Sequence, residues 1–192
     1  MDVLDLRGEL ERLHVASFGW ALWCCGRRRD EAEEVLQSAY LKILEGRARF
    51  DGNSSFRTWA FGVIRNTAAE HRRQAWLRKA FSMRWLVERT SREAQIDVEV
   101  LAADSESNRR LRLALAQLPS RQKDILHLVF YQEMTVEKAA EVLGVSVGTA
   151  RTHFARGKGR LREILAAREE RKETPAELND ADLNEGASHG TQ

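Results

Sequence analysis

The sequence predicts an all-α protein with two small helical domains joined by a linker, the second of which is a helix-turn-helix domain. Three observations support this prediction. Apolar residues recur at helical spacing along most of the 192 residues. Only two prolines occur, and 31% of the residues are charged, as expected for a helical chain with solvated surfaces. The segment 135–160 combines two short helical patterns with a tight turn between them.

Three amphipathic helices are expected in an N-terminal domain that spans residues 1–80. The first begins close to the N-terminus and has an apolar face made of Val3, Leu6, Leu10 and Leu13. The second, over 31–44, carries one continuous stripe of Ala32, Val35, Leu36, Ala39, Tyr40 and Ile43. The third runs from about Phe56 to Arg78, after a loop at 50–55 that is rich in turn-forming residues.

An acidic linker is expected over residues 81–108, because the ionisable side chains of its second half are all acidic. An ordinary solubilising connector explains that composition equally well. The second domain, 109–170, is predicted to start with a helix over 111–118 that Pro119 terminates. A further helix then begins with Ser120 as its capping residue.

The helix-turn-helix segment carries the strongest signal in the chain. Its first helix has an apolar stripe of Val136, Ala139, Ala140 and Leu143, and Gly144 supplies the left-handed backbone that ends it. Ser146 is expected to cap the second helix, whose inward face is Val147, Ala150 and Phe154. From Ser146 to Arg162 this helix carries five positive charges and no acid. Such a helix is suited to enter the major groove of DNA.

The near-neutral net charge of +2 hides an uneven distribution. Residues 106–172 hold 14 Lys and Arg against 8 Asp and Glu. The tail, 171–192, is predicted to be disordered and acidic, with five acids and no Lys or Arg from Glu173 onward. We hypothesise that this tail competes weakly with DNA for the basic helix.

Composition also argues against several classes of protein. No apolar stretch is long enough to span a bilayer and no signal peptide is recognisable, so a cytoplasmic location without membrane insertion is expected. The two cysteines are adjacent, at 24 and 25, which indicates core packing ahead of a metal or redox role. No metal-spaced set, phosphate-binding loop or nucleophile–base pair is apparent. We therefore expect no enzyme activity, no catalytic residue, no metal and no cofactor.

The order of these parts resembles a bacterial RNA polymerase sigma factor of the extracytoplasmic-function (ECF) group. The resemblance covers roughly residues 1–168. Its matching segments are 31–37 in the acidic-faced helix, 56–66 and 70–73 in the aromatic and basic helix, and 115–122, 143–149 and 160–162 in the second domain.

This resemblance implies a dissociable subunit that gives core RNA polymerase its promoter choice. Docking on the coiled coil of the polymerase clamp would fall to Asp30, Glu31, Glu33, Glu34 and Gln37. Melting and capture of the −10 promoter element would fall to Asn53, Arg57, Trp59, Arg65, Asn66, His71, Arg72 and Arg73. The loop 51–55 corresponds to the family's specificity loop, which accepts a base flipped from the non-template strand.

Duplex recognition of the −35 element is the role that the resemblance implies for the second domain. The candidate residues are Ser146, Gly148, Thr149, Arg151, Thr152, His153, Arg156 and Lys158. An arginine that reads a guanine discriminates by about 1–3 kcal/mol, whereas a phosphate contact adds affinity without sequence preference. An anti-sigma factor is expected as a partner from the resemblance alone, since no residue pattern points to one.

Two other interpretations remain open from the sequence. A DNA-binding regulator that never joins polymerase explains the second domain but leaves the acidic-faced helix without a task. A purely structural helical adaptor does not explain why the second helix of the helix-turn-helix carries charges of one sign.

Overall fold

The computed structural model describes residues 3–83 and 106–173, and every regular element within those ranges is helical. Seven α-helices follow one another: α1 (Val3–Cys24), α2 (Arg29–Leu44), α3 (Phe56–Met83), α4 (Glu106–Ala116), α5 (Ser120–Leu126), α6 (Val136–Leu143) and α7 (Val147–Glu173). A π-helical turn, His127–Tyr131, continues α5. The predicted all-α class is confirmed.

Helices α1, α2 and α3 pack on one another and form the N-terminal module. The predicted stripe of α2 is confirmed, since five of its six residues are buried and Tyr40 is half-buried. Trp20 of α1 is fully buried and its indole Nε1 donates to the carbonyl oxygen of Phe61 at 3.0 Å. Phe61 is also fully buried, although it is not part of the core face that the periodicity of α3 predicts, which is Phe56, Trp59, Ala60, Val63, Ile64, Thr67 and Ala68.

Helices α4 to α7 form the C-terminal module, in which α5 and α6 pack against α7. The turn between α6 and α7 is as predicted, because Gly144 adopts φ 62° and ψ 42° at the end of α6. Ser146 then caps α7 by accepting a hydrogen bond from the Thr149 amide at 3.2 Å. Thr135 caps α6 in the same way, through the Lys138 amide at 3.3 Å.

Two local predictions in this module are wrong. Ser120 does not cap α5, because the capping position is Pro119 and Ser120 is already the first helical residue. Val147 was assigned to the inward face of α7, but it lies at the helix start and is 37% exposed. Ala150, one turn further on, is fully buried and Phe154 is half-buried, so the inward face begins at Ala150.

The two modules pack against each other along α3 and α6. One hydrophobic cluster includes Trp20 and Phe61 from the first module and Ile125, Leu128 and Met134 from the second. The sequence predicted two helical domains but gave no sign of this contact between them.

Helix α3 continues to Met83 and α4 already begins at Glu106, so both helices extend into the span assigned to the linker. The rest of the predicted linker and nearly all of the predicted tail lie outside the described residues. Within the described ranges, no helix has the length and apolar character required to cross a membrane.

Candidate polymerase-binding and DNA-binding surfaces

The acidic face of α2 is the surface formed by Asp30, Glu31, Glu33, Glu34 and Gln37. It exists because the apolar stripe on the other side of α2 is buried in the N-terminal module. Glu31 is half-buried and the other four residues are exposed. The structure therefore brings all five predicted docking residues together on one accessible surface.

Nitrogen-bearing side chains of the chain itself already contact this face. Three carboxylates have such a neighbour: Arg28 for Glu31, Arg29 for Glu33 at 2.9 Å, and the Nε2 atom of His71 for Glu34 at 3.2 Å. A solvent-accessible ion pair such as Arg29–Glu33 contributes only about 0–1 kcal/mol. Basic side chains of a partner can therefore replace them at little cost.

An aromatic cluster joins the loop before α3 to the first turn of that helix. The rings of Phe50, Phe56 and Trp59 lie 5.3–5.6 Å apart between centroids, and all three residues are half-buried. Ser55 fixes the start of α3 by accepting a hydrogen bond from the Thr58 amide at 3.2 Å. Half-buried rings on a basic helix offer faces on which unpaired bases stack.

Phe50 and Phe56 were not among the predicted site residues, which included only Trp59 from this cluster. The sequence did carry a signal for them. Aromatic residues at 50, 56 and 59 flank a loop rich in Gly, Asn and Ser. Loops positioned by a rigid scaffold often carry binding residues, so this arrangement is compatible with a base-binding surface.

The loop itself is held in shape by Asp51. The backbone amide of Asn53 donates to Oδ1 of Asp51 at 3.1 Å, and the Asn53 side-chain nitrogen donates to Oδ2 at 2.6 Å. These hydrogen bonds hold the pKa of the Asp51 carboxyl below its usual value. Asn53 is exposed, so a fixed loop presents an accessible amide.

The polar residues predicted along α3 do not share one surface. Asn66, Arg72 and Arg73 are exposed, and Arg72 donates to the carbonyl oxygen of Cys24 at 2.6 Å. His71 is directed towards the acidic face of α2 through Glu34.

Arg57 and Arg65 instead lie against the C-terminal module. A terminal nitrogen of Arg57 donates to the carbonyl oxygen of Gln132 at 2.8 Å and to its side-chain oxygen at 3.2 Å. Burial and the nearby charge of Arg121 lower the pKa of Arg65. Both arginines are thus half-buried on the side of α3 that packs against the other module.

The start of α7 forms the entrance to the predicted recognition surface. Gly148 has open space around its Cα, and Thr149 is exposed. The hydroxyl groups here are already engaged locally, because Ser146 bonds Thr149 and Thr152 donates to the carbonyl oxygen of Gly148 at 3.0 Å. These residues therefore present a polar helix start without an obstructing side chain.

Arg151 is a predicted base-reading residue with an accessible side chain, which is 67% exposed. Its guanidinium donates to Oε1 of Glu137 in α6 at 2.9 Å. Hydrogen bonds from its own backbone amide and from Arg151 lower the pKa of Glu137. Glu137, which was not predicted, therefore contacts Arg151 from the other helix of the motif.

Further along α7, the predicted residues differ in exposure. Arg156 and Lys158 are exposed, and the Lys158 ammonium lies 5.3 Å from the centroid of the Phe154 ring. His153 is half-buried, and within the described part of the chain its Nδ1 atom has no hydrogen-bond partner. Seven of the eight predicted residues are therefore exposed at the start of α7 and along it, namely Ser146, Gly148, Thr149, Arg151, Thr152, Arg156 and Lys158.

Two family models match the chain. The model described as "Sigma-70 region 2" matches residues 11–78, which contain α2 and most of α3. The model described as "Sigma-70, region 4" matches residues 108–161, which contain the helix-turn-helix. The two matches fall on the two modules.

Individual proteins agree with these matches. The chain is 28% identical over 144 residues to "ECF RNA polymerase sigma factor SigX" of Bacillus subtilis, covering 71% of this chain and 72% of that protein. It is 27% identical over 148 residues to "RNA polymerase sigma factor YlaC" of the same organism, covering 74% and 83%. Among solved structures, a sigma factor RpoE in complex with the anti-sigma factor NepR from Bartonella quintana has a similar fold. Its TM-score is 0.64 at 23% identity, and the likeness covers 84% of this chain and 97% of that one.

Proposed function

This chain belongs to the ECF group of RNA polymerase sigma factors, and we propose which of its surfaces perform each task of such a factor. As a member of this group, it binds core RNA polymerase and promoter DNA and directs transcription initiation. It is not an enzyme, and the chemistry of RNA synthesis belongs to the polymerase. The chain contributes recognition, which rests on charge, shape and stacking.

The acidic face of α2 is the proposed docking surface for the coiled coil of the polymerase clamp. The observation that carries this proposal is a row of accessible carboxylates on a helix whose other side is fully packed. Such a row attracts a basic surface and fixes the register of binding, and its intramolecular ion pairs are weak enough to exchange.

Charge reversal at Glu33 tests this docking surface. Glu33→Lys places a cation in the middle of the acidic face, and we expect core binding to fall at least tenfold in a pull-down with purified core polymerase. Glu45→Lys is the matched control, since Glu45 is also exposed and also pairs with a nearby arginine, Arg47. Equal core binding by the two variants would contradict the assignment.

Promoter recognition is proposed to be divided between the modules. Residues 1–80 would capture the −10 element through Asn53, the aromatic cluster and the basic residues of α3, while 109–170 would read the −35 element through α7. Residues 81–108 would connect the two, with 171–192 as an acidic extension. Two observations support this division: the ionisable residues of α7 between Val147 and Arg162 include no acid, and the loop at Asn53 is exposed.

A protein partner and a location complete the proposal. The RpoE structure similar to this chain was solved with an anti-sigma factor bound. We propose that an anti-sigma factor also controls this chain, which would act in the cytoplasm, where its polymerase is. Affinity purification of the tagged chain from its native cell, followed by mass spectrometry, tests this expectation. Recovery of core subunits without any stoichiometric second protein would contradict it.

A further inference from the structure

We propose that Glu137 of α6 is a specificity-determining residue of the −35 surface, because it positions the guanidinium of Arg151 for the edge of one base. The inference rests on the proposed reading of the −35 element by α7. Glu137 and Arg151 lie on the two helices of the helix-turn-helix, 14 residues apart in sequence. Glu137 would act through Arg151 and is therefore a positioning residue.

The contact joins the first turn of α6 to the exposed side of α7. Nη2 of Arg151 donates to Oε1 of Glu137 at 2.9 Å, and the Glu137 side chain is 49% exposed. The two helices pack on each other through buried residues that include Ala140 and Ala150. This packing sets where the carboxylate of Glu137 lies relative to α7.

Two hydrogen bonds that do not involve Arg151 anchor the carboxylate of Glu137. It accepts from its own backbone amide and from the hydroxyl of Thr135, the residue that caps α6. Together with Arg151, these donors keep the pKa of the Glu137 carboxyl below its usual value, so it is ionised at neutral pH. Glu137 is thus an anchored acceptor at the start of a helix, where the helix dipole also favours an anion.

The ion pair singles out Arg151 among the cations at the start of α7. Within the described residues, Arg151 is the one Lys or Arg between Val147 and Lys158 that pairs with a carboxylate. Arg156 and Lys158 are also exposed, and the Lys158 ammonium lies over the Phe154 ring instead. A paired arginine has fewer side-chain conformations to lose when it binds, which favours a directional contact.

The pairing leaves enough donors on Arg151 to read a base. A guanidinium has five N–H donors, and the bond to Glu137 uses one of those at Nη2. The four that remain are sufficient for two parallel hydrogen bonds to O6 and N7 of a guanine. Glu137 can therefore keep its contact while Arg151 binds the base edge.

The charge of Glu137 favours specificity as well. An arginine at a DNA surface can also bind a phosphate, which carries no sequence information. The carboxylate partly neutralises the guanidinium and repels the phosphate backbone, so this alternative contact gains less free energy. A base edge carries no net charge, and hydrogen bonds to it are weakened less.

Glu141 supplies the matched control. It lies on α6 one turn after Glu137, and both residues are exposed, so neither Glu137→Ala nor Glu141→Ala removes core packing. Each substitution removes one carboxylate from the same helix and introduces a residue with high helix propensity. The loss of a negative charge changes affinity for every DNA sequence, so the readout is discrimination between sequences and not affinity alone.

Holoenzyme binding to promoter duplexes measures this discrimination. The −35 sequence mapped by transcription is changed at one base pair at a time, and the ratio of Kd values for the changed and unchanged duplexes is determined. Arg151→Ala identifies the base pair that Arg151 reads, because discrimination falls there. We expect Glu137→Ala to reduce discrimination at the same base pair by about threefold to fivefold, which a solvent-accessible ion pair can supply. Glu141→Ala should leave it unchanged.

A double variant separates positioning from a general effect on the structure. In the Arg151→Ala background, Glu137→Ala should cause no further loss, because the side chain that it positions is gone. Unchanged discrimination in Glu137→Ala, a loss spread over all base pairs, an equal loss in Glu141→Ala, or a further loss in the double variant overturns the proposal. If Arg151→Ala itself retains full discrimination at every base pair, the proposed −35 role of Arg151 has failed as well.

Discussion

Arg151 combines exposure with a planar guanidinium, the group that matches the edge of a base. Its partner Glu137 lies on the other helix of the motif and holds the guanidinium at 2.9 Å. Lys158 is also exposed, but its ammonium lies over the Phe154 ring and has no planar fork to match a base edge. Removal of each side chain should therefore weaken DNA binding in a different way.

Arg151→Ala should weaken binding to the preferred −35 sequence by about 1–3 kcal/mol while affecting other sequences much less. Lys158→Ala should weaken binding to all sequences alike and reduce the salt dependence by about one phosphate contact. Fluorescence anisotropy of holoenzyme on promoter duplexes at several salt concentrations measures both effects. Uniform weakening by Arg151→Ala would show that this arginine contacts phosphate instead.

His127 provides a test of stability against pH. Burial lowers its pKa to about 3, whereas in the unfolded chain it is about 6.5. Below pH 6.5 only the unfolded state takes up this proton, so stability is greatest above pH 6.5 and falls as pH decreases. Thermal unfolding should show a loss of about 2 kcal/mol at pH 5 relative to pH 8 from this residue.

His127→Phe keeps an aromatic ring at this position and removes the titration, so it should reduce the pH dependence between pH 8 and pH 5. Asp124 acts in the opposite sense, because burial raises its pKa and its contribution grows as pH falls. Asp124 is present in both the wild type and the variant, so its contribution to the pH dependence of stability cancels when the two are compared. Parallel pH profiles for wild type and variant would contradict the assignment.

Sequence reasoning at single residues succeeded where local chemistry decides the outcome. Ser146 and Gly144 were predicted correctly because a cap and a left-handed turn depend on their immediate neighbours. The prediction that Ser120 caps α5 was wrong because Pro119 occupies the capping position. Glu137 was missed because its partner lies 14 residues away, on another helix.

The contact between α5 and α7 depends on a glycine inside a helix. A Cβ on Gly157 would lie 3.2 Å from Cδ1 of Leu126 and 3.3 Å from both Cβ and the carbonyl oxygen of Gln122. Gly159, two residues on, has nothing within 4 Å of the same position. The close approach of α5 to α7 therefore requires a glycine at position 157 but not at position 159.

Gly157→Leu should destabilise the protein by about 1–3 kcal/mol, because a backbone carbonyl lies in the way and the helices must move apart. Gly159→Leu should stabilise it by about 0.5–1 kcal/mol through helix propensity. Urea unfolding monitored by circular dichroism measures both changes. Equal stabilisation by the two leucines would show that α5 does not pack closely on α7.

Helix existence and amphipathic faces were predictable because periodicity records which side of a helix is buried. The ends of helices were less predictable, since α3 continues to Met83, past the end expected at Arg78. Periodicity also does not say what covers a buried side. Phe61 was left out of the predicted core of α3, and it lies on the side that faces both α1 and the C-terminal module.

At the scale of the whole molecule, the sequence indicated two modules and one acidic surface, and the structure adds how the modules meet. The acidic face of α2 and the exposed side of α7 are both accessible in this arrangement. Arg57 and Arg65 of α3 lie against the other module instead. The proposed docking surface and the proposed −35 surface are therefore open, whereas two of the proposed −10 residues take part in the contact between the modules.

Transcription reconstituted from purified components tests the central claim most directly. Core polymerase of the native organism, genomic DNA fragments and the wild-type chain are combined, and the 5′ ends of the transcripts are mapped. The account predicts discrete start sites that appear only with the chain, share two upstream sequence elements and disappear with Glu33→Lys. If the chain binds DNA by itself but adds no start site to the core enzyme, the account is contradicted.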